Sequence, residues 1–285
     1  MRCIGIMQGR LLPPEEGRFQ YFPRQGWMTE FSLAAAAGLD SIEWIYDVWG
    51  EGANPISSDR GIDQVRRLAK EHSVEVRSLC ADYFMERPLI RVSSEQKRSG
   101  TNHLIWLISR CQLFYISRIV LPFVDNSSIR TDSEMADVIS TLHEVVPHAS
   151  EAHVEIHLET SLGPAAFGDL LGRLPFAEVK ANYDTGNSAS LGYDFREELS
   201  AYGNRIGSVH IKDRVRGGGT VPLDCGNADI PGVLAGLHEL GYSGDYILQV
   251  ARGEPGREIE WAEHNRRVLV SHLQAAAETA AERCQ

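Results

Sequence analysis

The sequence predicts a single α/β domain, a (β/α)8 TIM barrel in which eight parallel strands alternate with helices. Short apolar segments recur along the chain, and each is separated from the next by a longer amphipathic segment. Four of them, in the second half, carry polar residues at alternate positions. The length of 285 residues suits a barrel, which needs roughly 250. No change of composition marks a linker, so we expect one domain over residues 1–285.

The elements follow in order from short apolar runs bounded by turn residues and from helical periodicity. The predicted strands cover residues 3–7, 40–45, 74–80, 117–123, 154–159, 179–184, 208–213 and 246–250. The predicted helices cover residues 30–37, 62–72, 94–113, 133–152, 167–174, 195–202, 231–240 and 258–282. Gly38 and Gly241 stand where two of these helices should stop, because glycine readily adopts the left-handed conformation that ends a helix.

Composition and charge exclude several classes of protein. The net charge of −11 argues against general binding to nucleic acids or to anionic membranes, both of which attract clustered basic charge. No apolar run approaches the roughly 20 residues needed to span a bilayer. The five cysteines form no CxxC pair, which is typical of reduced thiols in the cytosol. The first residues show no signal-peptide pattern, so we expect a cytoplasmic protein.

Polar residues collect at the ends of the predicted strands in the second half of the chain. Because side chains in a strand alternate between faces, Glu159 lies opposite the apolar face that packs against helices. Glu159, Asp184, His210 and Gln249 are 25, 26 and 39 residues apart, a spacing that fits repeated strand–helix units. Parallel strands bring their C-terminal ends together, so these four side chains should converge. Two carboxylates, an imidazole and an amide oxygen would suit a divalent cation, although buried polar residues could instead pair with one another.

At this point the chain resembles the sugar phosphate isomerase/epimerase family, whose members have xylose-isomerase-like barrels. The resemblance covers nearly the whole chain and depends on the order and spacing of several short motifs. These are Gly38-Leu39-Asp40-Ser41-Ile42-Glu43, Leu158-Glu159, Asp184-Thr185-Gly186-Asn187, Val209-His210-Ile211-Lys212-Asp213, Val221-Pro222-Leu223-Asp224-Cys225-Gly226 and Gly241-Tyr242-Ser243-Gly244.

The resemblance implies a divalent ion, Mn²⁺ first and Mg²⁺, Co²⁺ or Zn²⁺ as alternatives, held by Glu, Asp, His and Glu. Glu159, Asp184 and His210 match the first three ligands, whereas the fourth position carries Gln249. An amide oxygen can still bind a cation, but the ligand set loses one negative charge. In the related epimerases the two glutamates act as acid and base on opposite faces of the substrate, and a neutral amide is not a base near pH 7.

This departure favours an isomerase over an epimerase, because Glu159 alone can move a proton between adjacent carbons on one face. The expected reaction on a small sugar or sugar phosphate is proton abstraction next to a carbonyl, through an enediolate, with Glu159 as the catalytic base. Two alternatives remain open. One is a metal-dependent dehydratase acting on a keto-sugar or keto-cyclitol, and the other is a non-catalytic sugar- or metal-binding relative.

Four further residues are candidates for substrate binding, each with a structural alternative. Asn187 stands where related ketose epimerases often carry a histidine, and it could bond a sugar hydroxyl. Arg216 matches an arginine that contacts substrate in those epimerases; the alternative is a solvated loop charge. Lys212 shares a face with His210 and could instead pair with a carboxylate, while Glu43 contacts substrate or orders an inward arginine. His157 is expected to orient Glu159 as a neighbouring partner.

The expected partner is a small sugar or sugar phosphate. The glycine run 217–219, with Arg214 and Arg216 beside it, could form an anion site for a phosphate, although such a run is more often just a mobile loop. The resemblance also allows a homodimer, because related barrels often form dimers.

Overall fold

Eight short strands form the sheet of this computed structural model, which describes residues 3–283. They are β1 (Ile4–Met7), β2 (Ser41–Ile45), β3 (Ser78–Cys80), β4 (Arg118–Phe123), β5 (Glu155–Thr160), β6 (Val179–Asp184), β7 (Ile206–Ile211) and β8 (Tyr246–Leu248). Each strand pairs in parallel with the next along the chain, and β8 returns to pair with β1. The sheet is therefore a closed barrel, which confirms the predicted fold class.

The helices lie between the strands, near the predicted positions. They are α1 (Glu30–Ala36), α2 (Asp59–His72), α3 (Tyr83–Glu86), α4 (Ser94–Phe114), α5 (Asp132–Ala152), α6 (Pro164–Gly172), α7 (Thr185–Leu191), α8 (Phe195–Tyr202), α9 (Ile230–Glu239) and α10 (Glu258–Arg283). Gly38 and Gly241 both have positive φ, at 69° and 72°, which confirms the expected helix stops. The short helices α3 and α7 were not predicted; both follow a strand directly, at the end of the barrel where the candidate site lies.

The third strand is shorter than the sequence predicts. Residues 74–77 lie outside β3, and only an isolated bridge between Glu75 and Ser41 joins this stretch to the sheet. The β6–β7 pairing also shifts register between Ala181 and Asn182: Ala181 pairs with Ile206, and the next residue, Asn182, pairs with Ser208. Beyond the shift, Asp184 lies directly beside His210.

The outer face of the barrel is apolar and packs against the helices, whereas much of the interior is polar. Leu158, Val209 and Ile211 on the outer face are all fully buried. Inside, Arg118 and Asp245 form an ion pair of 2.6 Å whose side chains are each 9% exposed. Buried polar groups are costly unless they are paired, so the interior is held by a specific hydrogen-bond network rather than by apolar packing.

The β1–α1 loop, residues 8–29, closes over the C-terminal end of the barrel. Its aromatic rings Phe22 and Trp27 pack against Trp44 of β2 at centroid distances of 5.6 and 5.8 Å, which anchors the loop to the outer face of the barrel. Arg10 donates to the carbonyl of Val250 just beyond β8 at 3.1 Å. The loop is thereby tied to the last strand across the closure of the barrel.

Cys3, Cys80, Cys111 and Cys225 carry free thiols, and Cys284 lies outside the described residues. Among residues 3–283, no helix combines the length and the apolar character needed to cross a bilayer.

Candidate metal centre

Three of the four predicted ligands converge at the C-terminal end of neighbouring strands. Glu159 lies in β5, Asp184 ends β6 and His210 lies in β7, and one ligand atom from each lies within 4.8 Å of the other two. His210 Nδ1 is 3.2 Å from Glu159 Oε2 and 3.9 Å from Asp184 Oδ2. All three side chains are buried. The parallel strands thus bring together residues that are far apart in the chain, as expected from their spacing.

The local backbone leaves one oxygen of Asp184 directed at this cluster. Asp184 Oδ1 accepts hydrogen bonds from the backbone amides of Gly186 and Asn187 and so caps α7. The other oxygen, Oδ2, is buried and lies 2.6 Å from the Lys212 ammonium. Two carboxylate oxygens and an imidazole nitrogen form a donor set suited to a divalent ion, so these residues fit the implied metal.

Glu43 fixes the orientation of the His210 ring. His210 Nε2 lies 2.6 Å from Glu43 Oε1, and both side chains are fully buried. A carboxylate behind a histidine is the usual partner of a metal-binding imidazole, and here it leaves Nδ1 facing Glu159 and Asp184. Burial alone would lower the pKa of His210, but Glu43 and Glu159 raise it to about 10. The hydrogen bond of Glu43 therefore goes to His210, a partner that the sequence did not suggest.

Two asparagine amides hold Glu159. Asn187 donates from Nδ2 to Oε1 at 2.7 Å, and Asn182 donates from Nδ2 to Oε2 at 3.1 Å. Burial would raise the pKa of Glu159, but the hydrogen bond and charge of His210 and the charge of Lys212 lower it overall. The carboxylate therefore stays ionised near pH 7 and can accept a proton.

Asn182 connects Glu159 to the polar interior of the barrel. Its carbonyl oxygen accepts from the hydroxyl of Ser208 at 2.6 Å, and Ser208 Oγ lies 2.7 Å from His157 Nδ1. The other ring nitrogen of His157 bonds Glu155 at 2.8 Å. His157 therefore reaches Glu159 only through Ser208 and Asn182. Sequence reasoning missed Asn182, although its alternate position along β6 was a usable signal.

Gln249 lies just beyond β8, but its oxygen faces a lysine. Lys212 Nζ donates to Gln249 Oε1 at 2.8 Å, and Gln249 Nε2 donates to Gln20 Oε1 at 2.9 Å. The same ammonium lies 2.6 Å from Asp184 Oδ2. Lys212 thus forms the ion pair with a carboxylate that was the alternative to substrate binding, and its ammonium also occupies the amide oxygen of Gln249 that was the predicted fourth ligand.

The arginine that reaches the site from the loop after β7 is Arg214 and not the predicted Arg216. This residue lies in a small antiparallel hairpin formed by Asp213–Arg214 and Thr220–Val221, and its Nη1 donates to Asn187 Oδ1 at 2.9 Å. Its Nε and Nη2 donate to the carbonyl of Gly218, so the glycine run folds back on this side chain. The predicted substrate ligand Arg216 is exposed, and its guanidinium lies over Gly192.

A further carboxyl group, Asp82, lies at the same end of the barrel and was also missed. It follows β3 by two residues and accepts hydrogen bonds from Gln20 Nε2 at 2.8 Å and from the Cys80 thiol at 3.1 Å. Burial raises its pKa to about 6, and the charges of Asp47 and Glu159 act in the same direction. Its position after a strand end was the available signal.

Solved structures resemble this chain over nearly its whole length. An L-ribulose 3-epimerase is 17% identical with a TM-score of 0.76, covering 99% of this chain and 97% of its own. The IOLI protein, solved with a bound zinc atom, is 14% identical with a TM-score of 0.77, covering 97% and 99%. A xylose isomerase-like TIM-barrel protein from Mycobacterium smegmatis, in complex with magnesium, is 16% identical with a TM-score of 0.71, covering 96% and 97%.

No curated protein matches the chain. The family model described as a xylose isomerase-like TIM barrel matches residues 31–272, which contain every ligand of the candidate centre. On that match, together with the closed barrel, the chain belongs to the xylose isomerase-like TIM-barrel family.

Proposed function

We propose that the protein is a divalent-metal-dependent enzyme acting on a small sugar or sugar phosphate by moving a proton next to a carbonyl group, as an isomerase or epimerase. The observation that carries the proposal is the ionised Glu159 carboxylate, fixed by two amide donors beside Asp184 and His210. The similarity to an L-ribulose 3-epimerase supports the same substrate class.

Glu159, Asp184 and His210 would hold the ion, with Mn²⁺ the first choice and Mg²⁺, Co²⁺ or Zn²⁺ as alternatives. When bound, such an ion supplies a Lewis acid that polarises a substrate carbonyl and stabilises an enediolate. The two oxygens of Glu159 have different surroundings, because Oε2 faces His210 and Oε1 faces Asn187. Oε1 is therefore the oxygen left to accept a proton from the substrate.

Asn187 and Arg214 would position the substrate around that oxygen. Arg214 holds the Asn187 carbonyl at 2.9 Å, which directs the Asn187 amide at Glu159. This arrangement keeps the base in one orientation before substrate arrives, as efficient proton transfer requires.

The neutral amide of Gln249, in place of a second glutamate, favours isomerisation. An aldose–ketose conversion needs one base that moves a proton between adjacent carbons on one face, and Glu159 can do this alone. Inversion at a carbon needs a second proton-transfer group on the opposite face, and the amide of Gln249 cannot serve. Asp82 is a further carboxyl at this end of the barrel, outside the ligand cluster, so it is our candidate for the second group that an epimerase would require.

The test is exchange of the proton next to the carbonyl, followed by NMR in deuterated water with Mn²⁺ and a panel of ketoses, aldoses and their phosphates. We expect at least one sugar to incorporate deuterium, and Glu159→Gln at saturating Mn²⁺ to slow this about 100-fold or more, because the base is lost. Glu151→Gln, at an exposed glutamate of α5, is the matched control and should exchange normally.

Other outcomes would select another function. Loss of water with formation of an unsaturated carbonyl product would identify a dehydratase. Sugar binding without exchange across the whole panel, at saturating metal, would refute catalysis and leave a binding protein.

A further inference from the structure

Gln249 stands where the family resemblance implies a charged fourth ligand, and its hydrogen bonds show what an amide does there that a carboxylate cannot. It accepts from the Lys212 ammonium through Oε1 and donates through Nε2 to Gln20 Oε1. Gln20 in turn donates from Nε2 to Asp82 Oδ2. These three hydrogen bonds therefore all run in one direction, from the Lys212 ammonium through the amides of Gln249 and Gln20 to the Asp82 carboxylate.

The groups at the two ends of this hydrogen-bond series fix the orientation of the two amides between them. An ammonium can only donate and an ionised carboxylate can only accept, so both amide groups have a single favourable orientation. A glutamate at position 249 could accept from Lys212 but, when ionised, could not donate to Gln20. The carbonyl oxygen of Gln20 also accepts from Arg10 Nη2 at 3.2 Å, which completes its bonding.

The fold also holds the Lys212 side chain close to Asp184. The Lys212 backbone amide donates to Thr185 Oγ1 at 3.0 Å, next to Asp184 in the chain. The stem of the side chain packs on Gly186, where an added Cβ would come within 2.7 Å of Lys212 Cγ. Only a residue without a Cβ allows this approach, and the side chain that results is buried, with its ammonium 2.6 Å from Asp184 Oδ2.

We propose that Gln249 is not a metal ligand but a connector, which holds the Lys212 ammonium at Asp184 and links it through Gln20 to the β1–α1 loop. This rests on the metal centre of the proposed function, which then takes three ligands from the protein, Glu159, Asp184 and His210. Lys212 is a fixed positive charge beside them. It neutralises Asp184 before metal arrives and repels the incoming cation, so it weakens metal binding and leaves more of the coordination sphere to substrate and water.

The test is the affinity for Mn²⁺ alone, measured by isothermal titration calorimetry on the full chain. Lys212→Met removes the competing charge and leaves Asp184 uncompensated, and both effects should tighten Mn²⁺ binding by about 10-fold or more. Gln249→Ala removes no ligand and loosens the ammonium, so Mn²⁺ binding should stay within about 5-fold of the original or become tighter, whereas loss of a true ligand weakens it by more than the 10–100-fold typical of its supporting partners.

Lys180→Met is the matched control, because Lys180 is also a partly buried barrel lysine but pairs with Glu155 at 2.6 Å. It should leave the affinity for Mn²⁺ unchanged. If Lys212→Met does not fold, Lys212→Gln replaces it, because it also removes the charge but keeps a polar group beside Gln249. Mn²⁺ binding should tighten in the same way, and unchanged or weaker binding would count against the role of the ammonium.

Weakening by about 5-fold or more in Gln249→Ala would overturn the inference, because the amide would then be a ligand. Unchanged or weaker binding in a folded Lys212→Met would overturn the role of the ammonium. Neither readout depends on turnover. A protein that binds Mn²⁺ without exchanging any sugar proton would refute the proposed reaction and still allow this inference to be judged.

Discussion

A buried glutamate far from the metal ligands gives a quantitative prediction about stability. Glu30, in the first turn of α1, is fully buried and accepts a hydrogen bond from the backbone amide of Gly9 at 2.6 Å. Its second oxygen makes no hydrogen bond within residues 3–283. Burial raises the pKa of this carboxyl from 4.5 to about 8, against the smaller opposing effect of hydrogen bonds.

This shift makes the free energy of unfolding depend on pH. Between the two pKa values the folded state keeps the proton while the unfolded state loses it, so stability falls as the pH rises. A displacement from 4.5 to about 8 corresponds to about 5 kcal/mol of stability that is present below pH 4.5 and lost by about pH 8. Glu30→Gln removes the ionisation and keeps the shape of the side chain.

We expect urea unfolding at pH 5, 7 and 9 to show the loss in the original protein and not in Glu30→Gln. The variant should become the more stable of the two by several kcal/mol at pH 9. Glu16→Gln, at an exposed glutamate of the β1–α1 loop, is the control, and its stability should depend on pH as in the original protein. If the stability difference between Glu30→Gln and the original protein changes by less than about 1 kcal/mol from pH 5 to 9, the carboxyl ionises normally and the reasoning fails.

Three further predictions concern the barrel interior, the metal and the second carboxyl. Arg118→Met removes the 2.6 Å partner of the buried Asp245, which then keeps only Arg77 at 3.7 Å, and should cost up to about 3–5 kcal/mol in urea unfolding. Arg267→Met at the surface should change stability by less than about 1 kcal/mol, and equal costs would contradict the pairing argument. Mn²⁺ at about 100 times its dissociation constant should stabilise the protein by about 2.7 kcal/mol in thermal unfolding, and an unchanged transition would count against the metal centre. With Glu159 as the single base, Asp82→Asn should keep proton exchange within about 10-fold of the original, and a loss of about 100-fold or more would instead assign two proton-transfer groups.

The barrel could be predicted from the sequence because its outer face is apolar at alternate positions and its helices have clear ends. β5 and β6 follow this pattern, and Gly38 stops α1 as its type suggests. The third strand was predicted four residues too long, because Val74 to Arg77 alternate apolar and charged residues as a strand does, although little of this run joins the sheet. Local pattern shows which residues favour a strand, but pairing with neighbours decides where the strand begins.

The three clustered ligands could be predicted for a geometric reason. Glu159, Asp184 and His210 each lie at or next to the end of a strand, and parallel strands bring such ends together. The contacts of Gln249 could not be predicted in this way. Its partner Gln20 is 229 residues away, in a loop whose path depends on packing across the barrel mouth.

The same distinction applies to the two arginines after β7. Arg216 was preferred on its spacing from His210, but the hairpin between Asp213–Arg214 and Thr220–Val221 turns Arg214 towards Asn187. A two-residue difference on a loop reverses which side chain faces the site. Spacing alone is therefore a poor guide once the regular strand has ended.

Each of the four residues from Asp184 to Asn187 makes a contact on which the candidate site depends. Asp184 supplies a candidate ligand and caps α7, while Thr185 and Gly186 contact Lys212. Asn187 donates a hydrogen bond to Glu159, the proposed base. Most replacements here would disturb several of these roles together. Attempts to alter substrate preference by directed evolution should leave this tetrapeptide untouched and vary the hairpin around Arg214, where one change affects fewer tasks.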